Sequence, residues 1–370
     1  MTMQQISNEW NYVIHLVRCA LHGLPPQELP EGLQFAQVFQ CAQDHQVANI
    51  AFCALDKLKN KPQPELYHRW RISWEHAVTM DITQSYAAQE IREVFGKNKI
   101  RWVEAQGTRI KPLYPQPDYR TMSDIDFIIH EENIPKAQDI LETLGYECET
   151  AYCVELNAHR HPNTHIELHT EYFLEDCPYR KVLHSPFDVA GEPEDVFYLY
   201  NLLHIAKHYF GSGCGIRRVL DVYFLNQKYP HCSQSAYVRE ALQRAGLTDF
   251  VSELSSLANV WFSREAQDFP KSKMVYSVLN SGVHGSCFIA QQNHLEQTVR
   301  VSGRWSRVKY CLGRLLGTGK DLITRYPVLN RWKILFPFCW LHRAFCAISP
   351  KQLRRTRREV QIIRHMKSAE

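Results

Sequence analysis

None of the twelve cysteines is paired in a Cys-x-x-Cys spacing, and the chain has no internal repeat or low-complexity tract. A zinc ribbon and a stapled disulfide scaffold are therefore not expected. There is no Gly-x-Ser-x-Gly elbow, no Walker-type glycine loop ending in Lys-Ser/Thr, and no cysteine in a context that argues for a lowered pKa. Those absences set aside serine-hydrolase, P-loop and thiol-nucleophile chemistry. The start MTMQQISNEW lacks a basic segment followed by an apolar one, so no secretory signal is expected. The cysteines then read as reduced thiols of a cytoplasmic protein. Long apolar runs are scarce too: Ile334–Leu341 is too short to span a bilayer and contains Pro337, which argues against a transmembrane protein.

What is present is ordinary globular composition: 370 residues, 45% apolar and 22% charged, enough for two or three packed units and too apolar for a disordered chain. The net charge of +4 conceals an asymmetry. Residues 300–370 hold 17 Lys or Arg against Asp321, Glu359 and Glu370, a net of +14 that leaves −10 on the rest. Charge of this kind suits nucleic acid, anionic lipid or an acidic partner. The run from Lys351 to Arg358, with Trp332, Phe336, Phe338, Trp340 and Phe345 nearby, reads three ways: a peripheral contact with the inner face of an anionic membrane, an RNA grip, or a solvated face over a core.

Periodicity divides the chain into four segments. Residues 1–99 carry helical spacing, as in Trp10, Val13, Ile14, Val17 and Leu21, and Pro64 to Gly96 reads as one long helix. Residues 100–175 change to short β-type runs at Ile100–Glu104, Ser123–His130, Tyr146–Thr150 and His165–His169, with a helix over Glu132–Leu144 capped by Gly145. Helical spacing returns over 176–290, beginning after Pro193 with Glu194 and Asp195 in a first turn, and predicting helices over Gly215–Tyr229, Ser235–Ala245 and Asp249–Phe262. Residues 291–370 form the basic end. The fold class expected is α+β, a small mixed sheet embedded between helical segments.

Chemistry concentrates in the β segment. In Ser123-Asp124-Ile125-Asp126-Phe127, alternation puts both aspartates on one strand face. Side-by-side carboxylates need a cation or donors to offset their repulsion, and Mg²⁺ accepts such oxygens together with substrate phosphates. They read equally as a solvated pair at a strand end. Upstream, Gln106-Gly107-Thr108 follows a strand and offers a turn whose backbone amides and hydroxyl could approach a phosphate. Downstream, His165, Glu167 and His169 share one face of the next strand, which supplies a third carboxylate or, with the histidines, a zinc or iron site. On the helix after Pro193, His204 and His208 stand four apart beside Lys207, and Arg217 and Asp221 follow. These groups suit contacts to a phosphate or an acceptor, or plain surface ion pairs.

The stretch AQGTRIKPLYPQPDYRTMSDIDFII resembles the family of uncharacterised nucleotidyltransferases often encoded with polysaccharide biosynthesis genes: a glycine turn, Tyr-Pro, an arginine, then Asp-hydrophobic-Asp. The likeness continues through THIELHTEY and LLHIAKHYFGSGCGIRRVLDVYFL. It implies a nucleotidyltransferase core in 100–175, with Asp124, Asp126 and Glu167 as metal and catalytic carboxylates. Gly107, Thr108, Arg120 and Ser123 would contact the nucleotide, and His169, Lys207, His208, Arg217 and Asp221 would face a phosphate or the acceptor. The implied cofactor is Mg²⁺, or Mn²⁺, and the substrate a nucleoside triphosphate. The implied acceptor class is a sugar, a lipid-linked precursor or a protein. Family members often carry lysine before the glycine, where this chain has Gln106. That difference keeps a silent scaffold that binds partners in view, and the basic end, as an RNA grip, keeps in view a toxin-like enzyme acting on tRNA.

Overall fold

The computed structural model describes residues 8–265 except 152–153, 176 and 188–192, then 272–286 except 284, and short pieces between 289 and 347. Contacts group the chain into two units, one of Ile6–Tyr209 with Gly213–Gly285, the other of Met1–Gln5, Phe210–Ser212 and Ser286–Glu370. In the second unit a helix covers Phe336–Ala347, and Trp332, Phe336 and Phe338 are exposed. The basic run Lys351 to Arg358 lies outside the described residues.

The first unit is α+β. Its sheet has five strands: β1 (Trp102–Glu104), β2 (Ile125–Ile129), β3 (Glu147–Ala151), β4 (Val154–Arg160) and β5 (Thr164–His169). Their spatial order is β1-β2-β5-β4-β3, with β2 and β5 parallel and every other neighbour antiparallel. Side-chain alternation sends Ile125, Phe127 and Ile129 of β2, and Ile166 and Leu168 of β5, into one core cluster. Helix α4 (Pro64–Lys97) covers that face with Ala87, Ala88, Ile91 and Phe95, and helix α6 (Ile134–Thr143) adds Ala137 and Leu141. Two arginines tie the sheet to α4: Arg92 meets Glu104 at 2.6 Å and Arg160 meets Glu90 at 2.6 Å. The covered face leaves the polar positions of β2 and β5 on the opposite side.

Helix α4 has 34 residues, roughly 50 Å at 1.5 Å per residue. Pro64 opens it at a position that needs no N–H donor. Its first half packs on α2 (Phe35–Asp44) and α3 (Ala48–Leu55), which in turn pack on α1 (Asn8–His22), with Trp70 edge-on to Phe39, and its second half packs on the sheet. The remaining helices are α7 (Glu194–Phe210), α8 (Ile216–Lys228), α9 (Ala236–Arg244), α10 (Thr248–Phe262) and α11 (Lys273–Ser281). α10 lies against α8 and α1, where His22 Nε2 donates to the Phe262 carbonyl at 2.7 Å.

His45, just past α2 and fully buried, joins four helices. The Ile216 N–H at the head of α8 donates to its Nδ1 at 2.9 Å, so Nε2 carries the hydrogen and donates to Leu279 O of α11 at 3.3 Å. Trp10 of α1 packs edge-on against its ring. Gly215 allows this close approach, since a Cβ there would stand 2.7 Å from His45 Nδ1. Burial holds the imidazole neutral and pulls its pKa down to about 4, against a smaller upward pull from the Leu279 carbonyl. The unfolded chain protonates first on acidification, so stability from this group is complete above about pH 6.5 and drains away toward about pH 4. Urea denaturation at stepped pH should show His45→Asn losing this acid sensitivity, a slope shallower by about 1.4 kcal/mol per pH unit than the parent's. Equal slopes would show that His45 does not titrate on unfolding.

Candidate active site

The side of the β2–β5 pair turned away from α4 and α6 carries the acidic residues. In the parallel register Asp126 stands opposite Glu167, and Ile128 opposite His169. Asp126, Glu167 and His169 bring one ligand-type atom each within 4.8 Å of the others. His169 Nε2 lies 3.3 Å from Asp126 Oδ1 and 3.5 Å from Glu167 Oε2, while His165 Nε2 lies 3.7 Å from Glu167 Oε1. Asp124, two residues before Asp126 and half-buried, adds charge that acts on Asp126. His159 of β4 stacks on His165 at a ring separation of 4.2 Å, so it belongs to the sheet and not to the turn at His161.

The electrostatics follow from packing three carboxylates beside one imidazole. Burial pushes the Asp126 pKa up, the His169 hydrogen bond pulls it down, and the charges of Asp124 and Glu167 push it up again. Burial pulls His169 down, but its hydrogen bonds to Asp126 and Glu167 outweigh that and raise it well above an ordinary imidazole. Glu167 is lowered, chiefly by its hydrogen bond from His169. A protonated His169 thus stands where a metal cation would, between the same oxygens.

Gly107 begins α5 (Gly107–Ile110), a single helical turn directly after β1. It is buried, and a Cβ there would meet Met122 Sδ at 2.6 Å and Arg120 Nη1 at 3.3 Å, so only glycine fits without displacement. The Thr108 hydroxyl donates to the Ala105 carbonyl at 3.4 Å, and Ser123 is exposed beside Asp124. Gln106 adopts φ of 47°, a conformation uncommon outside glycine, and its side chain hydrogen-bonds Tyr200 of α7 and accepts from Arg218 Nη1 of α8 at 3.5 Å. The charge of Asp126 acts on the same Tyr200 and helps burial raise its pKa. The glycine turn, the acidic strand pair and α7–α8 therefore meet around Gln106.

Two expected contacts are placed differently. Arg120 and Asp221, read as touching triphosphate and acceptor, are partners of each other inside the protein. Arg120 Nε and Nη2 donate to the two Asp221 oxygens at 3.1 and 3.0 Å, Tyr114 Oη donates to Oδ1 at 2.7 Å, and Arg120 Nη1 donates to Thr121 O at 3.1 Å. Asp221 has no exposed surface and Arg120 only 2%. Packing explains the change: a fork-shaped donor meets a carboxylate in a dry site, with no face left toward a cleft. Arg217, also buried, is turned to Gln46 and to the Thr121 carbonyl at 2.8 Å. Burial and the neighbouring Arg120 and Arg218 pull its pKa down to about 9.

His204 and His208 hydrogen-bond each other through their Nε2 atoms at 2.7 Å, and burial with the charges of Arg218 and Lys207 holds both neutral. Lys207 is exposed. Arg218, next to Arg217 in the same run of α8, joins Arg120 as a cation beside the glycine turn. Its spacing of three from Asp221 on the helix gives a 3.6 Å ion pair.

A model of the uncharacterised nucleotidyltransferase family matches residues 31–263, well over half of the chain. The chain belongs to that family. No curated protein and no solved structure matches it. The match runs from just before α2 through α10, so in this nucleotidyltransferase-family chain it includes the acidic strand pair, the Gln106 turn and the α7–α8 cations.

Removing one partner of the Arg120–Asp221 pair strands a buried charge. Asp221→Ala should lower the unfolding free energy by about 3–5 kcal/mol in urea, and replacing both partners by apolar residues should recover most of it. An Asp221→Ala protein as stable as the parent would remove the pair from the architecture.

Proposed function

We propose that this chain transfers a nucleoside monophosphate from a nucleoside triphosphate to an acceptor hydroxyl, with Mg²⁺ or Mn²⁺ held by Asp124, Asp126 and Glu167. The observation that carries the reading is the register of β2 and β5, which sets Asp126 directly beside Glu167, with Asp124 just before the strand begins. The donor set fits such an ion. Two carboxylates, Asp126 and Glu167, converge on the histidine they share, Asp126 is buried, and the charge of Asp124 acts on it from two residues away. Oxygen donors of this kind suit Mg²⁺ and Mn²⁺, and an ion there would supply the charge that stabilises the attacking and leaving oxygens.

The residues of the chain would then divide the work. Gly107 lets the main chain of its turn approach the triphosphate, with the Thr108 and Ser123 hydroxyls close by. Arg218 and Lys207 face the leaving pyrophosphate, so the cation that family members often have before the glycine comes here from α8, across Gln106. The acceptor oxygen bonds to the α-phosphorus as the bond to the β-phosphate oxygen breaks. Glu167 takes the acceptor proton, directly or through water. A sugar, a lipid-linked precursor or a protein all present such a hydroxyl.

Calorimetric titration with ATP, CTP, GTP and UTP in Mg²⁺ should find one nucleotide that binds the parent and not Asp124→Ala/Asp126→Ala. Transfer to the acceptor should fall at least about 10²–10³-fold in Asp126→Asn. A double variant that binds nucleotide and metal as the parent does would defeat the reading. Because the ion must displace the proton on His169, whose pKa stands at about 10, and needs Asp126 ionised, which happens at about 6, Mn²⁺ affinity should climb from about pH 6 and still be rising above about pH 8, with proton release on binding. An affinity flat with pH would place the ion elsewhere.

A further inference from the structure

A separate group of metal-type donors gathers on other elements. Glu194 is the first residue of α7; His231 and Cys232 lie in the turn that follows α8. One carboxylate oxygen, one imidazole nitrogen and one thiol sulfur stand within 4.8 Å of one another, and His231 Nε2 is 2.9 Å from Glu194 Oε2. As a plain ion pair the exposed Glu194 and His231 would contribute little, since both side chains are more than half solvated. An ion pair has no use for the third member. Cys232 is fully buried, and its thiol sits beside two carboxylates, Glu194 and the hydrogen-bonded Asp195, an environment that resists ionisation in the absence of a cation.

The backbone around the sulfur is already fixed. The Cys232 N–H donates to Tyr229 O at 3.1 Å, and the Ser235 N–H donates to Cys232 O at 3.1 Å. Asp195 Oδ2 accepts from the Ser235 hydroxyl at 2.6 Å, which holds that carboxylate beside the thiol as an orienting group. Mixed sulfur, nitrogen and oxygen donors are what zinc takes, at about 2.0–2.3 Å from the ion.

We propose that Glu194, His231 and Cys232 bind a zinc-class divalent ion, with water as fourth ligand, and that the ion clamps the first turn of α7 to the turn after α8. Binding expels the thiol proton to solvent and leaves a thiolate–metal bond. The ion braces the helix that carries Tyr200 and Lys207 toward the candidate active site, from the far end of that helix and with no part in the transfer chemistry.

Cobalt(II) titration of the metal-free full-length protein tests this, because a thiolate ligand gives a near-ultraviolet charge-transfer band that an all-oxygen and imidazole site does not. The expected result is such a band in the parent and in Asp126→Asn, its loss in Cys232→Ser, and at least about tenfold weaker cobalt binding in His231→Ala. Zinc should raise the melting temperature of the parent and not of His231→Ala, whose exposed position leaves folding intact. Absence of the band in the parent, or its persistence at full strength in Cys232→Ser, overturns the site.

Discussion

The buried pair of Arg120 and Asp221 fastens the segment entering β2 to the helix that carries Arg218. The placement of α8 and its Arg218 against the entry to β2 depends on that join: Arg120 lies four residues before Asp124 in the chain, and Asp221 lies three residues beyond Arg218. Three cations, Arg120, Arg217 and Arg218, crowd the one carboxylate of Asp221, which is held ionised by them against its complete burial. Such a pair is costly to desolvate, and its value lies more in fixing a geometry than in adding stability. It leaves Arg218 with 13% of its side chain exposed while Arg120 and Arg217 point into the protein, so packing decides which of the three arginines keeps contact with solvent.

The acidic cluster obeys a related constraint. Antiparallel neighbours flank it on both sides, yet β2 and β5 themselves run parallel, and that register alone puts Asp126 abreast of Glu167. A slip of one residue would turn Glu167 into the core and bring Ile166 or Leu168 to the polar face. The apolar partners of the same strands, packed under α4 and α6, therefore hold the charged face in place. His169 moderates the repulsion this creates, taking a proton that two carboxylates share.

Much of this was legible in the residues. Alternation located β2 and β5 and put their acidic positions on one side, and the long helix over Pro64 to Gly96 emerged as α4. The α+β class and the family followed from the same motifs. α3 escaped notice because Ala48–Leu55 is buried at seven of its eight positions, which leaves no apolar stripe to read. β4 was missed although Val154, Leu156 and Ala158 alternate, because the paired strand that gives them meaning is distant in pattern until the hairpin closes at His161 to Asn163. The partnership of Arg120 with Asp221 spans 101 residues, and no local spacing encodes it.

Gln106 joins these threads. As a sequence feature it was the loss of a lysine and a reason to suspect a silent scaffold. In the fold it is a strained residue at φ of 47° whose amide links Tyr200, which feels Asp126, to Arg218, which binds Asp221. Strain of this kind is kept where surrounding contacts over-determine it. A lysine at 106 would place a second cation within reach of Arg218, beside the already crowded Arg120 and Arg217. The glutamine instead accepts a hydrogen bond from Arg218, so α8 brings positive charge up to the glycine turn.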